Sequence, residues 1–165
     1  MRKKHILLPF IVMGSVYMLA EVLLRTVGGE LVGFKGIKYA SLCGWTSWYM
    51  FVVGGACAVF IGQLNERPGF CRMRVGYQCL IGAVFILALE FISGYILNIK
   101  LGFHIWDYTT LRFNVMGVIC PQYAVVWFLL CPIAIWFDDM LKYIFYREGN
   151  IYSLGKLYKE LFTLK

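Results

Sequence analysis

Two acidic residues lie where the sequence is otherwise apolar, and they could support proton or cation chemistry. Glu90 lies inside the run "LIGAVFILALEFISGYILN", with Gly94 and Asn98 following at intervals of four residues. Asp107 lies between two aromatic residues in "GFHIWDYTTLRFN". An ionisable group in apolar surroundings is unfavourable unless it is paired, so it is by default a candidate for function. Two such carboxylates could bind a cation, exchange protons, or divide the roles of general acid and base.

The candidate polar site contains eight residues, which the topology below places at one level in the outer half of the membrane. They are Glu21, Glu90, Asn98, Trp106, Asp107, Tyr108, Arg112 and Asn114. Glu90 is expected either to protonate or to pair with Arg25 or Arg112. The same groups could instead form a structural lock that fixes helix register. Asp107 could also cap the fourth helix, because carboxylates suit a helix N-terminus.

The composition indicates that the elements holding these residues are membrane helices. The chain has 165 residues, of which 61% are hydrophobic and 15% charged, whereas soluble domains are about half apolar and a quarter charged. Four stretches are long enough to span a bilayer: residues 6–24, 45–64, 77–97 and 113–137. The prediction is an all-α bundle of four transmembrane helices over residues 1–145. The first span resembles a signal peptide, but no small-residue cleavage site follows it, so it is expected to be retained.

The distribution of basic residues predicts the orientation. With the N-terminus inside, 11 of the 16 Lys and Arg residues lie on the cytoplasmic side, so both termini are expected in the cytoplasm. The net charge of +7 is explained by these loops, and we expect no nucleic-acid partner. The tail, residues 146–165, has apolar residues at helical spacing with three lysines. It is expected to be an amphipathic helix on the membrane surface, with docking on a partner protein as the alternative.

Three local patterns predict how the helices meet and end. Gly54, Ala58 and Gly62 form a stripe of small residues on the second span, which is typical of a helix-packing seam within the chain or between copies. Pro121 and Pro132 are expected to kink the fourth span. Residues 63–67 are expected to form a solvated turn after the second span.

No pattern predicts a metal, a disulfide framework or a catalytic motif, so no catalytic residue and no cofactor are assigned. The six cysteines form no CxxC pair, and His5 and His104 are isolated. The sequence lacks GxSxG, HExxH and the phosphate-binding GxxxxGK[ST] loop.

The segments "TSWYMFVVGGACAVFIGQLNE", "EFISGYILN" and "GFHIWDYTTLRFNVMGVIC", followed by Trp127, resemble the family described as putative ABC-transporter type IV (CmpB-like). The resemblance covers roughly residues 41–130, and its W-D-Y element is the most specific part. The matching positions are Glu90, Gly94, Asn98, Trp106, Asp107, Tyr108, Asn114 and Gly117. Thr109 and Pro121 depart from the family pattern. The resemblance implies a small bacterial inner-membrane protein related to transport.

Three functions fit these observations, and transport ranks first. A transport or permease component would bind an unknown small solute or lipid through the polar site. It would need a homodimer or a partner membrane subunit and an outside energy source. An intramembrane enzyme acting on a lipid, with Glu90 and Asp107 as acid and base, would show a groove open to lipid beside Glu90. A scaffold subunit would show a filled interior and would tolerate Glu90→Gln.

Overall fold

The structure, a computed structural model, describes residues 4–28, 46–70 and 72–163, and the regular elements in this part of the chain are helices. The α-helices are α1 (Lys4–Gly28), α2 (Trp48–Glu66), α3 (Val75–Gly94), α4 (Pro121–Tyr146) and α5 (Leu154–Phe162). A π-helical turn, Tyr95–Lys100, continues α3. The prediction of an all-α fold is confirmed for these residues, which contain no strand. Trp45, the predicted start of the second span, lies outside the described ranges.

Three of the described helices are long and apolar enough to cross a bilayer. The qualifying stretches are Ile6–Leu23 in α1, Val75–Lys100 in α3 with its π-helical turn, and Pro121–Tyr146 in α4. The apolar part of α2, Trp48–Leu64, lies at the lower limit of about 17 residues for a spanning helix. Three of the four predicted spans are therefore long and apolar enough to cross a membrane, as a membrane protein requires.

The last long helix begins later than predicted. Helix α4 starts at Pro121 rather than at residue 113, because Phe113 and Met116 adopt positive φ values of 60° and 55° that no α-helix can contain. Pro121 occupies the first turn, where a missing N–H breaks no helical hydrogen bond, so the predicted kink at this position is wrong. Pro132 does lie inside the helix. The residues between Lys100 and Pro121 instead form an irregular segment that packs against the C-terminal end of α3.

The small-residue stripe of α2 packs within the chain. A Cβ atom at Gly54 would lie 2.7 Å from the ring of Tyr17 in α1, and one at Gly62 would lie 2.3 Å from Cγ of Asp138 in α4. Ala58, between these two glycines, is buried. Close approach of helices at small residues is the packing expected in lipid, where the hydrophobic effect between helices is weak. The two glycines therefore bring α2 against both α1 and α4.

The C-terminal helix packs on the bundle. Leu157 and Leu161 of α5 are buried in one cluster with Cys79 of α3 and Ile135 of α4. The hydroxyl of Tyr158 donates a hydrogen bond to the carbonyl of Leu129 at 2.7 Å. The chain itself thus covers Leu157 and Leu161 of the tail, whereas Ile151 and Phe162 stay exposed at 61% and 68%.

Gly94 allows the irregular segment to contact α3, and this gives a stability prediction. A Cβ atom at Gly94 would lie 1.9 Å from Cγ1 of Val118, a side chain that is fully buried. Gly94→Ala is expected to lower the free energy of unfolding by about 1–3 kcal/mol through overpacking. Titration with sodium dodecyl sulfate in mixed micelles would measure this change.

The matched control for Gly94→Ala is Gly76→Ala on the same helix. The nearest atom to a Cβ at Gly76 is 3.9 Å away, an ordinary contact, so this change is expected to be tolerated. Adding Val118→Ala to Gly94→Ala should destabilise less than the sum of the two single changes, because the methyl group added at residue 94 then occupies the space that Val118→Ala leaves. Strict additivity would contradict the proposed contact.

Candidate functional site

Two hydrogen bonds hold the Glu90 carboxylate inside the bundle. Glu90 is 6% exposed, and its Oε1 atom accepts a hydrogen bond from the Tyr108 hydroxyl at 2.9 Å. Its Oε2 atom accepts a hydrogen bond from Nε1 of Trp127 at 3.0 Å. Arg112, one of the two predicted ion-pair partners, is exposed instead, and the side chain of Arg25 lies outside the described part of the chain. Neutral donors from the irregular segment and from α4 therefore fix the carboxylate.

Aromatic rings surround this carboxylate. Tyr108 stacks on Tyr123 with ring centroids 4.5 Å apart, and Tyr123 lies next to Trp127 at 6.1 Å. Tyr17 of α1 approaches the other side of Trp127 at 6.3 Å. Burial, and after it the negative charge of Glu90, raises the pKa of Tyr108 above its ordinary value, so the hydroxyl stays protonated and donates its hydrogen bond.

A cavity of about 430 Å³ extends from Glu90 between α1, α2, α3 and α4. Its lining is almost entirely apolar or aromatic, with Glu90 as the one carboxyl group and no Lys, Arg or His among the described lining residues. Val16 of α1 and Leu130 and Ile133 of α4 line it and are 46%, 41% and 39% exposed. The mouth of the cavity therefore lies between α1 and α4, on the lateral surface of the helices. This volume falls within the usual range for small-molecule sites.

Asn98 and Trp106 anchor the irregular segment to α3. The Asn98 side chain donates to the carbonyl of Trp106 at 2.9 Å and accepts from the amide of Ile105 at 2.8 Å. The indole N–H of Trp106 donates to the carbonyl of Val118 at 3.0 Å, while its ring lines the cavity. Asn98 thus holds the backbone of Trp106, and this tryptophan lines the cavity.

Asp107 and Asn114 stabilise turns of the irregular segment. The exposed Asp107 accepts a hydrogen bond from the amide of Thr109 at 2.8 Å, so it caps a local turn and does not cap α4. Asn114 accepts from the amide of Gly117 at 2.9 Å and donates to the carbonyl of Leu111 at 2.7 Å. Neither side chain lines the cavity.

The two remaining predicted residues lie away from the cavity lining. Glu21, half-buried in α1, accepts a hydrogen bond from the hydroxyl of Thr46. The carbonyl of Arg112 accepts a hydrogen bond from the side chain of Gln122 at 3.0 Å. Of the eight predicted residues, the structure therefore brings Glu90, Trp106 and Tyr108 together, and Asn98 holds the backbone of Trp106.

The role of Asn98 as an anchor can be tested by hydrogen exchange. Asn98→Ala removes the acceptor of the Ile105 amide and the donor to the Trp106 carbonyl. It is expected to accelerate exchange at Ile105 and to lower the free energy of unfolding by about 1–3 kcal/mol. The control is Gln122→Ala, which removes an exposed side chain-to-backbone hydrogen bond and should change neither quantity measurably. Unchanged protection at Ile105 in Asn98→Ala would rule out the anchoring role.

A second buried polar cluster lies toward the other end of the helices. Asp138 and Lys142 of α4 are 1% and 5% exposed and form an ion pair, and Nζ of Lys142 lies 2.7 Å from Oε1 of Glu66 in α2. Gly62 leaves the space that the Asp138 carboxylate occupies. On α4, Asp138 lies about 16 Å of helix beyond Trp127, at a rise of 1.5 Å per residue.

This ion triad, Glu66–Lys142–Asp138, corrects two predictions. Residues 63–66 are the last residues of α2 rather than a turn, and the exposed Glu66 forms an ion pair there. Buried charges occupy two levels of the bundle instead of one. The sequence signal for this triad was the i,i+4 spacing of Asp138 and Lys142 within an apolar helix. The predicted span ended at residue 137 and therefore left both residues outside the membrane.

The described residues offer no preformed metal site. Among residues 4–28, 46–70 and 72–163, no three His, Cys, Asp or Glu side chains come together in the way that a metal ion requires. Four cysteines in these ranges, Cys57, Cys79, Cys120 and Cys131, are free thiols. The chemistry of the site therefore rests on one carboxylate, its two donors and the surrounding rings.

Fold and site together define a helical membrane protein with an apolar cavity that opens sideways and contains a single hydrogen-bonded carboxylate. The family described as putative ABC-transporter type IV matches residues 8–161. The match covers nearly all of the 165 residues, and the chain belongs to this family. The resemblance found in the sequence is thus confirmed. No solved structure matches the chain.

Proposed function

We propose that the chain is the solute-binding membrane component of a transporter in the bacterial inner membrane. The observation that carries this proposal is the cavity of about 430 Å³ that ends at the Glu90 carboxylate. A cavity of this size with a few convergent polar groups is the usual form of a small-molecule site. Membership of a transporter-type family supports the same assignment.

The proposed topology has four spans, with α2 as the short one and both termini in the cytoplasm. At 1.5 Å per residue the apolar part of α2 measures about 26 Å, and a bilayer adjusts to a slightly short helix by local thinning. The packing of α2 between α1 and α4 through Gly54 and Gly62 supports a membrane position. The excess of basic residues in the cytoplasmic loops supports the orientation.

Two alternatives are less well supported. An enzyme that uses Glu90 and Asp107 as acid and base would need both groups at the cavity, but Asp107 is exposed and bonded to the amide of Thr109. A groove beside Glu90 suits such an enzyme, yet its described lining residues include no second Asp or Glu and no His, Lys or Arg. A scaffold would have a filled interior, and the cavity speaks against that.

The energy for transport must come from outside the described site. The sequence contains no GxxxxGK[ST] loop, so ATP hydrolysis would belong to a partner subunit. Four short helices also form a small transport unit. We therefore propose that the chain works as a homodimer or with a partner membrane subunit.

The proposal can be tested by closing the mouth of the cavity. Cells of the source organism that lack this chain would be complemented with the wild-type chain or with Ile133→Trp. Their content of lipophilic cations, neutral compounds and anions would then be measured by mass spectrometry. Wild-type cells are expected to change the content of at least one class several-fold. Ile133→Trp cells should resemble cells without the chain.

The matched control for Ile133→Trp is Ile144→Trp. Ile144 lies on the same helix and is 53% exposed, but it does not line the cavity, so this variant should behave as the wild type does. If wild-type and Ile133→Trp cells hold equal amounts of every compound class, the proposed function is wrong.

A further inference from the structure

We infer that the cavity binds a monovalent lipophilic organic cation, of the ammonium or phosphonium type. This inference rests on the proposed role of the cavity as a solute site and adds the chemical class of the solute. Three features of the cavity carry it: the sign of its single charge, the faces of its aromatic rings, and the position of its mouth.

The charge that the described lining of the cavity can carry is negative. Glu90 is its one carboxyl group, and its described lining contains no basic residue. Each Glu90 oxygen accepts one hydrogen bond, whereas a carboxylate has about four acceptor sites. Acceptor capacity therefore remains for a ligand, and in a low-dielectric site one cation offsets the carboxylate while an anion is repelled.

The aromatic lining suits the same ligand. Tyr17, Trp106 and Trp127 line the cavity together with Glu90, and Trp is the ring that attracts cations most strongly through its π-face. Aromatic rings with one nearby carboxylate form a site that binds organic cations without needing hydrogen-bond donors. A neutral acyl chain would gain nothing from the carboxylate.

The mouth of the cavity determines that this cation is lipophilic. Val16, Leu130 and Ile133 are exposed on the faces of α1 and α4 that flank the opening. A solute must therefore enter from the hydrocarbon region, and it must be soluble there. The volume of about 430 Å³ suits a compact body with several rings.

Binding to three isosteric compounds would test the charge preference. The probes are methyltriphenylphosphonium, neutral methyltriphenylsilane and methyltriphenylborate, measured by equilibrium dialysis against the full chain in phosphatidylcholine nanodiscs and against empty nanodiscs. The phosphonium is expected to bind saturably and at least about tenfold more tightly than the silane, with the borate weakest. The net charge of the chain, +7, would favour the borate, so this order cannot arise from overall charge.

The variants Glu90→Gln and Ile133→Trp separate the possible results. Glu90→Gln should weaken phosphonium binding at least about tenfold and leave silane binding within about twofold. Ile133→Trp should abolish both. Saturable binding of the silane alone, or of both ions equally, would overturn this inference while leaving the cavity as a solute site. Absence of saturable binding by all three probes would overturn the inference and count against the proposed function as well.

Discussion

Lys142→Met is expected to lower the free energy of unfolding by about 3–5 kcal/mol. Lys142 is the one cation of the ion triad, and it lies against Asp138 and, at 2.7 Å, against Glu66. Its loss leaves two carboxylates, of which Asp138 is 1% exposed. Removing one partner of a buried ion pair is strongly unfavourable because the remaining charge is neither solvated nor paired. Unfolding in mixed micelles would measure the effect.

A second change should reverse most of this loss. In Asp138→Leu/Lys142→Met, both charges of the buried pair are replaced by apolar groups, and such replacements are often neutral or stabilising. The double variant is therefore expected to be more stable than Lys142→Met alone. If it is less stable than the single variant, then the triad is not the reason for the loss.

The surface pair of α5 supplies the matched control. Lys156 and Glu160 also have i,i+4 spacing, but their charged atoms are 4.0 Å apart and their side chains are 66% and 45% exposed. Exposed pairs contribute little to stability, so Lys156→Met should change the free energy of unfolding only slightly. A loss as large as that of Lys142→Met would show that removing a lysine charge destabilises the chain generally, independently of the ion triad.

The existence of the long helices could be predicted from the sequence. Apolar runs of spanning length determine a helix because lipid offers the backbone no other hydrogen-bond partners. Predicted spans at residues 6–24 and 77–97 therefore agree with α1 and with α3 plus its π-helical turn. The stripe at Gly54, Ala58 and Gly62 likewise predicted a close helix contact, although its partners could not be read from the stripe itself.

The start of α4 could not be predicted from hydropathy. Residues 113–120 are as apolar as a helix requires, but Asn98 and Gly94 hold the preceding segment against α3 through tertiary contacts. With these contacts in place Val118 is buried, and the chain stays irregular up to Pro121, which suits the first turn of a helix. The sequence showed polar residues at this position without showing that most of them bond to the backbone of their own segment.

The partners of the buried acids were also beyond the sequence. Glu90 was expected either to protonate or to pair with an arginine, but an indole and a phenol from distant positions donate hydrogen bonds to it. Trp127 was noted in the family resemblance and not counted in the site. The predicted span ended at residue 137, one residue before Asp138 and five before Lys142, so Lys142 was counted on the cytoplasmic side. Pairings across the chain depend on helix rotation, which hydropathy does not specify.

Glu90→Leu is expected to abolish the several-fold change in solute content proposed for the chain while the protein still inserts and folds. Leucine suits the apolar surroundings of residue 90, so insertion should not suffer. The change leaves the Tyr108 hydroxyl and the Trp127 indole without the acceptor that both now use. An unsatisfied buried donor has an unfavourable free energy of about 1–3 kcal/mol, so the variant should be less stable but folded.

Three measurements separate loss of function from loss of fold in Glu90→Leu. The amount of chain in the membrane fraction reports insertion, gel filtration reports a folded and uniform particle, and mass spectrometry of complemented cells reports solute content. The matched control is Glu21→Leu, which removes a half-buried acid of α1 that does not line the cavity. Cells with this variant should show the same solute content as wild-type cells. If Glu90→Leu cells show the same solute content as wild-type cells, then Glu90 is not part of the site. If both variants lose the effect on solute content equally, then replacing either acid with leucine is enough to cause the loss, and the cavity carboxylate has no special role.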